Sequence, residues 1–253
     1  AFHLVIVDEA ARIPESAWTD AIYPTLADYN GDALLISSPN RKNWFYYEWL
    51  KGKTGVEGYA AFTAPSSANP NPNIQRAAEL AKERVSEDTY RQEWLAEFLE
   101  NGGEVFRKVR DAVDDKLNRV EPYAGDFVAG IDWAMQTDYT VITVMDRATR
   151  RVVDIDRFNR VDWALQRARV VAMRDKWKPR YITCEINSIG SPNFEALQRE
   201  GLPVYAFETT SSSKPPLIES LVLAFERGEI GIPDNPVLIG ELEAYERKVS
   251  AVT

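Results

Sequence analysis

Between residues 126 and 207 the chain alternates strand-like and helical stretches in an order that few folds accept. Asp126 to Ile131, Tyr139 to Met145 and Val152 to Phe158 are short runs rich in β-branched residues, joined by short connections, which predicts an antiparallel meander. A helix is expected from about Asp162 to Trp177, then a strand at Arg180 to Cys184, a helix at about Pro192 to Glu200 and a strand at Pro203 to Phe207. Helical stretches at about 216–227 and 237–248 close the chain. The resulting order is βββαβαβα. Pairing the fourth strand parallel with the first sets Asp132 and Glu185, each at the end of one of those strands, side by side at one sheet edge.

The first hundred residues have a different grammar. Phe2 to Val7 is a hydrophobic run ending in Asp8-Glu9-Ala10-Ala11, and Ala33 to Ile36 ends in Ser37-Ser38-Pro39-Asn40. Between them Glu15 to Leu26 reads as a helix interrupted at Pro24. Two buried strands with a helical connection predict a parallel α/β sheet, whose ligands gather at the carboxyl ends of the strands. A Pro/Asn/Ser loop at residues 64–73 precedes a helix from Ile74 to about Val85. Ser86 then caps a further helix, with Trp94, Leu95 and Phe98 at helical spacing, that runs to Asn101-Gly102-Gly103. The polar stretch 101–121 reads as a linker, giving domains at 1–100 and 122–253.

Composition limits the chemistry. With 253 residues and 45% apolar side chains the chain can fill a real core, and no apolar run approaches the roughly 20 residues of a membrane helix, so no membrane association is expected. A single Cys and a single His leave carboxylates as the ligands for any metal. Thirty basic against 39 acidic residues give a net charge of −9, so affinity for a nucleic acid must come from local groups. The chain begins within a strand-like run, with neither an initiator Met nor a leader pattern, and is expected to be missing its upstream part.

An apolar strand that delivers Asp8-Glu9 is what a P-loop nucleotidase requires: the first carboxylate holds the Mg²⁺ shell and the second polarises the attacking water. Plain strand ends show the same pattern. Ser37-Ser38-Pro39 after the next strand supplies a polar tip able to sense a γ-phosphate. No G-x-x-x-x-G-K-[ST] loop occurs, so this chain alone is not expected to hydrolyse ATP. The second constellation is Asp132, Asp138 and Glu185. Hard Mg²⁺ or Mn²⁺ prefers oxygen ligands, and two such ions about 4 Å apart clamp both oxygens of an in-line phosphodiester displacement. Asp138 suits equally a cap of the turn into the second strand.

Other residues receive plainer readings. Cys184 reads as a small buried strand residue and His3 as structural. The aromatic run Trp44, Phe45, Tyr46, Tyr47 and Trp49 reads as core packing behind the Ser37–Pro39 tip rather than as a base-stacking platform. Arg41, Lys42 and Lys214 are candidates for DNA phosphate contacts.

The chain resembles the large terminase subunit of tailed phages, and the likeness covers nearly its whole length. It is carried by Leu4-Val5-Ile6-Val7-Asp8-Glu9-Ala10, Leu35-Ile36-Ser37-Ser38-Pro39, Tyr90 to Phe98 with Val105-Phe106, and Gly130-Ile131-Asp132 through Asp138-Tyr139-Thr140-Val141. The fold it implies is α/β: the C-terminal part of a P-loop NTPase domain followed by a ribonuclease H-like nuclease domain, the fold whose strand order the second half follows. The activity it implies is a packaging motor that drives double-stranded DNA into a procapsid using ATP with Mg²⁺, and an endonuclease that cuts concatemeric DNA with two Mg²⁺ or Mn²⁺ ions.

By that likeness Asp8 is the Mg²⁺-side acid, Glu9 the catalytic glutamate and Ser37 to Pro39 the coupling motif. Asp132 and Glu185 become nuclease metal ligands, with Asp138 auxiliary. The implied partners are DNA, a portal protein on which a ring assembles, and a small terminase subunit, in the host cell cytoplasm. The resemblance also places a phosphate loop, an adenine-binding segment and an arginine finger before residue 1, and a last nuclease acid beyond Thr253. Both active sites are therefore expected to be incomplete in this chain, although Glu219 is an acid within it that could complete the nuclease set.

Two rival readings stand beside this one. A helicase or resolvase-like fragment shares the Asp-Glu-Ala-Ala run, though a helicase requires a second parallel α/β unit. A noncatalytic module docking on portal or capsid protein would show no Mn²⁺ affinity dependent on Asp132.

Overall fold

The structure, a computed structural model, describes residues 1–100, 105–134, 138–186 and 190–246. These form two compact units, residues 1–100 and Val105–Tyr245.

In the first unit β1 (Leu4–Asp8) and β2 (Asp32–Ile36) pair in parallel, Leu4 opposite Asp32 and Asp8 opposite Ile36. The parallel pairing is as expected, but the strands are not buried on both faces. Val5, Val7 and Leu35 face the core, whereas Leu4, Ile6, Leu34 and Ile36 on the opposite face are exposed. The connection between the strands also departs from expectation. In place of a helix over Glu15–Leu26 the chain makes a wide helical segment at Ala17–Ile22 and a tight one at Tyr23–Tyr29. Pro24 has no N–H to donate and its ring clashes with the preceding turn, so one continuous α-helix cannot pass through it.

Helix α1 (Trp44–Lys53) buries Trp44 and Phe45 against Trp18 and Leu26. Tyr46, Trp49 and Phe98 pack ring to ring with centroids 4.9–5.8 Å apart. The aromatic run therefore packs internally, apart from Tyr47, which is exposed. Helix α2 (Pro72–Ala81) starts at the Asn71 cap, whose side chain accepts the Asn73 N–H. Helix α3 (Glu87–Glu93) is shorter than expected. Ser86 caps it as read from the sequence, but it ends at Trp94, and Ala96 adopts a left-handed φ of 54°.

The second unit is a five-stranded mixed sheet ordered β5-β4-β3-β6-β7. Strands β3 (Phe127–Asp132), β4 (Thr140–Asp146) and β5 (Arg151–Phe158) form the antiparallel meander. Helix α4 (Trp163–Trp177) then returns the chain so that β6 (Ile182–Glu185) lies parallel to β3. Helix α5 (Gly190–Arg199) leads to β7 (Val204–Phe207), parallel to β6. Helices α6 (Lys214–Glu226) and α7 (Pro236–Glu243) follow. This is the strand order of the ribonuclease H-like arrangement. Alternation along the strands sends Phe127, Ala129 and Ile131 to one face, where Val170, Met173 and Trp177 of α4 meet them at helical spacing. Helices α4 and α7 have local start signals: Asp162 accepts the Leu165 N–H, and Asn235 accepts those of Val237 and Leu238 ahead of Pro236 in the first turn.

The segment 101–121, expected to be a linker, is integrated into this unit from Val105 onward. Val105, Phe106, Val109 and Ala112 are buried with Val222, Phe225, Ile230, Ile232 and Ile239 in a second core cluster. The apolar residues recur at spacings of one, three and three, enough to line one face of a turn-rich segment although its other positions are polar.

Candidate metal centre

Register places the two principal acids. β3 and β6 pair Ile131 with Cys184, and the next residue on each strand is Asp132 and Glu185. Their carboxyls are hydrogen-bonded to each other, which requires a proton between them. Asp132 reaches solvent, yet lost hydration pushes its carboxyl up to about 6, helped by the Glu185 hydrogen bond and by the charges of Glu185 and Asp138. Lys214 opposes that rise by favouring the ionised form. Three acids and one cation thus share one electrostatic neighbourhood at the carboxyl ends of β3 and β6.

Asp138 caps the turn into β4, its Oδ1 accepting the Tyr139 N–H at 2.8 Å, and its charge also raises the Asp132 carboxyl. Lys214 opens α6 after a turn closed by Thr210 and Ser213, in which the Ser213 Oγ donates to the Glu208 carbonyl at 2.8 Å and accepts the Thr210 N–H at 2.8 Å. Among the described residues no group of three or more acids is close enough to hold a metal ion unaided. The donor set nonetheless fits a hard cation: two adjacent carboxylates repel each other once both are ionised, and a divalent ion relieves that repulsion.

Two residues absent from the sequence reading shape this edge. Gly190 packs so closely under β6 that a Cβ there would lie 2.1 Å from the Glu185 carbonyl oxygen. Trp133, directly after Asp132, is buried edge-on to Trp163. The first had a sequence signal in the glycine that follows a strand end; the second had none. Cys184 is fully buried, and burial alone pushes its thiol up to about 12, in line with a packing role. His3 packs its ring on Tyr29 at 4.1 Å.

In the first unit Asp8 and Glu9 lie exposed at the end of β1. Glu9 turns the chain with a left-handed φ of 53°, and its N–H donates to Asp8 Oδ1 at 3.0 Å. Ser37 Oγ donates to Glu9 Oε2 at 3.5 Å, Ser38 is half-buried and Pro39 is buried. The Asn40 and Asn43 amides both donate to the Ala11 carbonyl, at 3.3 and 2.9 Å, so the segment after β2 is tied to the segment after β1. Arg41 donates to the Glu100 carbonyl and pairs with Asp88, while Lys42 pairs with Glu100. Of the three cations named as DNA contacts, Arg41 and Lys42 are therefore held by acidic or carbonyl partners of their own unit.

Comparison with known proteins agrees with this architecture. Residues 129–251 match the family described as the terminase RNaseH-like domain. The chain is 31% identical over 95% of its length to the terminase large subunit of Thermus virus P23-45, and 30% identical over the same share to that of Thermus phage G20c. It covers 54% of each, so it spans about half the length of the curated relatives it matches. The large terminase of a thermophilic bacteriophage superposes with a TM-score of 0.61 at 13% identity, covering 97% of this chain and 63% of that one. The large terminase nuclease of phage G20c with bound magnesium has a TM-score of 0.49 at 23% identity, covering 56% of this chain and 80% of its own. The second unit is accordingly a terminase ribonuclease H-like domain. The chain is similar to phage terminase large subunits along 95% of its own length. Among the described residues no helix is long and apolar enough to cross a membrane.

Proposed function

We propose that residues 105–245 form a divalent-metal endonuclease acting on double-stranded DNA, and that residues 1–100 belong to the ATPase of the same packaging motor. The observation that carries the nuclease reading is the contact of Asp132 with Glu185 across the parallel β3–β6 pair. Asp132, Glu185 and Asp138 are the residues that would hold Mg²⁺ or Mn²⁺, as two ions. When bound, such ions supply Lewis-acid stabilisation of the charge that develops on a phosphodiester as it is cut.

The remaining chemistry belongs to the protein. Asp132 gives up its proton as the site is loaded, β3 and β6 hold the two carboxyls at fixed register, and Lys214 offers its ammonium to a DNA phosphate beside them. In the first unit Asp8 would contact the Mg²⁺ of ATP and Glu9 would orient the attacking water. The Ser37 hydroxyl reports the state of Glu9 to the segment Ser37–Pro39, which the Asn40 and Asn43 bonds to Ala11 make stiff. The wider reading is a motor that docks as a ring on a portal protein, receives DNA through a small terminase subunit, fills a procapsid and cuts concatemers in the host cytoplasm.

The test is nicking of supercoiled plasmid by this chain in Mn²⁺, beside an Asp132→Ala protein made the same way. Cleavage that disappears in the variant supports the nuclease. Equal cleavage by both proteins would refute the assignment to Asp132. Mn²⁺ affinity that ignores Asp132 would favour a docking module on portal or capsid protein. A helicase reading is disfavoured because the second unit pairs three strands antiparallel rather than repeating a parallel α/β unit.

A further inference from the structure

The connection between β3 and β4 carries an acid near each end: Asp132 lies two residues before Ala134, and Asp138 two residues before Thr140. Those two ends are joined by a closed hydrogen-bond ring. The Ala134 N–H donates to Thr140 Oγ1 at 2.8 Å, and Thr140 Oγ1 lies 2.8 Å from Gln166 Oε1. Gln166 Nε2 returns to the Ala134 carbonyl at 3.1 Å and spends its second hydrogen on the Val161 carbonyl at 2.8 Å.

Both amide hydrogens of Gln166 are committed to carbonyls, while the single Thr140 hydroxyl hydrogen has two acceptors in reach, Gln166 Oε1 at 2.8 Å and the Ala134 carbonyl at 2.9 Å, and either choice ties Thr140 into the same ring. Thr140 and Gln166 are, respectively, 0% and 1% exposed. A Val and a Leu in these places would fill the space without directional demands. Two buried polar side chains that satisfy each other and one backbone position instead specify a geometry.

We infer that Thr140 and Gln166 are positioning residues for the metal centre: their ring fixes Ala134 against Thr140 and thereby the spacing of Asp132 from Asp138. The inference rests on the nuclease reading for what the acids do, but the ring itself is independent of it. Groups that orient metal ligands without touching the metal typically cost 10–100-fold in metal affinity or activity when lost.

The experiment uses four proteins: wild type, Thr140→Ser, Thr140→Val and Gln166→Met. Each is titrated with Mn²⁺ by calorimetry, assayed for plasmid nicking and followed for exchange of the Ala134 amide. Thr140→Ser keeps the hydroxyl and should bind Mn²⁺ within about twofold of wild type. Thr140→Val and Gln166→Met should bind it at least about tenfold more weakly, with kcat for nicking lowered in proportion and KM for DNA unchanged. In both, Ala134 exchange should accelerate.

A folded Thr140→Val protein with wild-type Mn²⁺ affinity and wild-type Ala134 exchange overturns the inference. If Mn²⁺ binding also survives Asp132→Asn, the nuclease reading fails instead. The ring is then judged by Ala134 exchange and by the Asp138 amide resonance, which must move in Thr140→Val for the inference to stand. Should both ring variants fail to fold, rapid Ala134 exchange in the wild-type protein overturns it, and slow exchange sustains it.

Discussion

Asp132 and Glu185 stand one register step beyond the Ile131–Cys184 pair of two parallel strands, and the Glu185 carboxyl helps Asp132 to hold its proton. An unfolded chain releases the Asp132 proton near pH 3.9, whereas the folded protein keeps it to about 6. Between those values the native state binds more protons than the unfolded one, so stability falls as pH rises, and the loss is complete above about pH 6. Replacing Asp132 with Asn removes that loss. The expected outcome in metal-free buffer is a melting temperature about 2 °C higher at pH 7.5, tempered by the solvent access of Asp132, and no difference at pH 3.5. Calorimetry of both proteins at the two pH values checks it, and an equal shift at both would contradict the proton held by Asp132.

A cation must displace the same proton. Mn²⁺ affinity is therefore expected to be level above about pH 6.5 and to fall by about tenfold per unit below pH 6, one proton being released per site loaded. Titration at pH 5, 6 and 7.5 in two buffers of different ionisation enthalpy counts the protons. A flat profile would show that Asp132 is not among the ligands.

Much of this site could be read from the sequence because strands advertise their ends. Each of Asp132 and Glu185 closes an apolar run, and the ribonuclease H-like arrangement that the order of elements resembles makes those runs parallel neighbours. The break at Pro24 was legible, but the wide and tight turns on either side of it were not, because apolar spacing does not record the pitch of a short segment; α3 stopped early although Phe98 keeps its place through ring packing with Tyr46 and Trp49. Val105–Ala112 looked like a linker because its charged positions are as many as the apolar ones that matter. Gln166 was invisible: a glutamine on an amphipathic helix looks like a solvent residue until the strand end that it clasps is in place.

Gly190 makes room for the backbone that carries Glu185. A methyl group added there would meet the Glu185 carbonyl oxygen at 2.1 Å and Trp133 Cδ1 at 3.2 Å, and the first of these is backbone that cannot swing aside. Gly190→Ala is expected to cost about 1–3 kcal/mol by overpacking, and to weaken Mn²⁺ binding by moving Glu185 away from Asp132. Urea unfolding together with Mn²⁺ calorimetry separates the two effects. A variant that loses stability but keeps wild-type affinity would show that Glu185 is positioned by β6 alone.

Far from the metal edge, Tyr123 supports the turn after β4. Its hydroxyl donates to Asp146 Oδ2 at 2.6 Å, while Asp146 Oδ1 accepts the Ala148 N–H at 2.9 Å. Burial works to raise the Asp146 carboxyl, but the Tyr123 hydroxyl and the Ala148 and Thr149 amides outweigh it and hold the group below the usual carboxylate range. The same burial and the neighbouring carboxylate push Tyr123 up to about 12. Tyr123→Phe leaves one oxygen of a buried carboxylate without its donor, a loss expected to be about 1–3 kcal/mol at pH 7. Because the folded Asp146 value is lowered, this stabilisation is present above the unfolded value and disappears as pH falls through the folded one. The gap between wild type and Tyr123→Phe in urea unfolding should therefore be widest near pH 7 and close below about pH 4. A gap that did not narrow on acidification would show that the loss does not depend on the Asp146 charge.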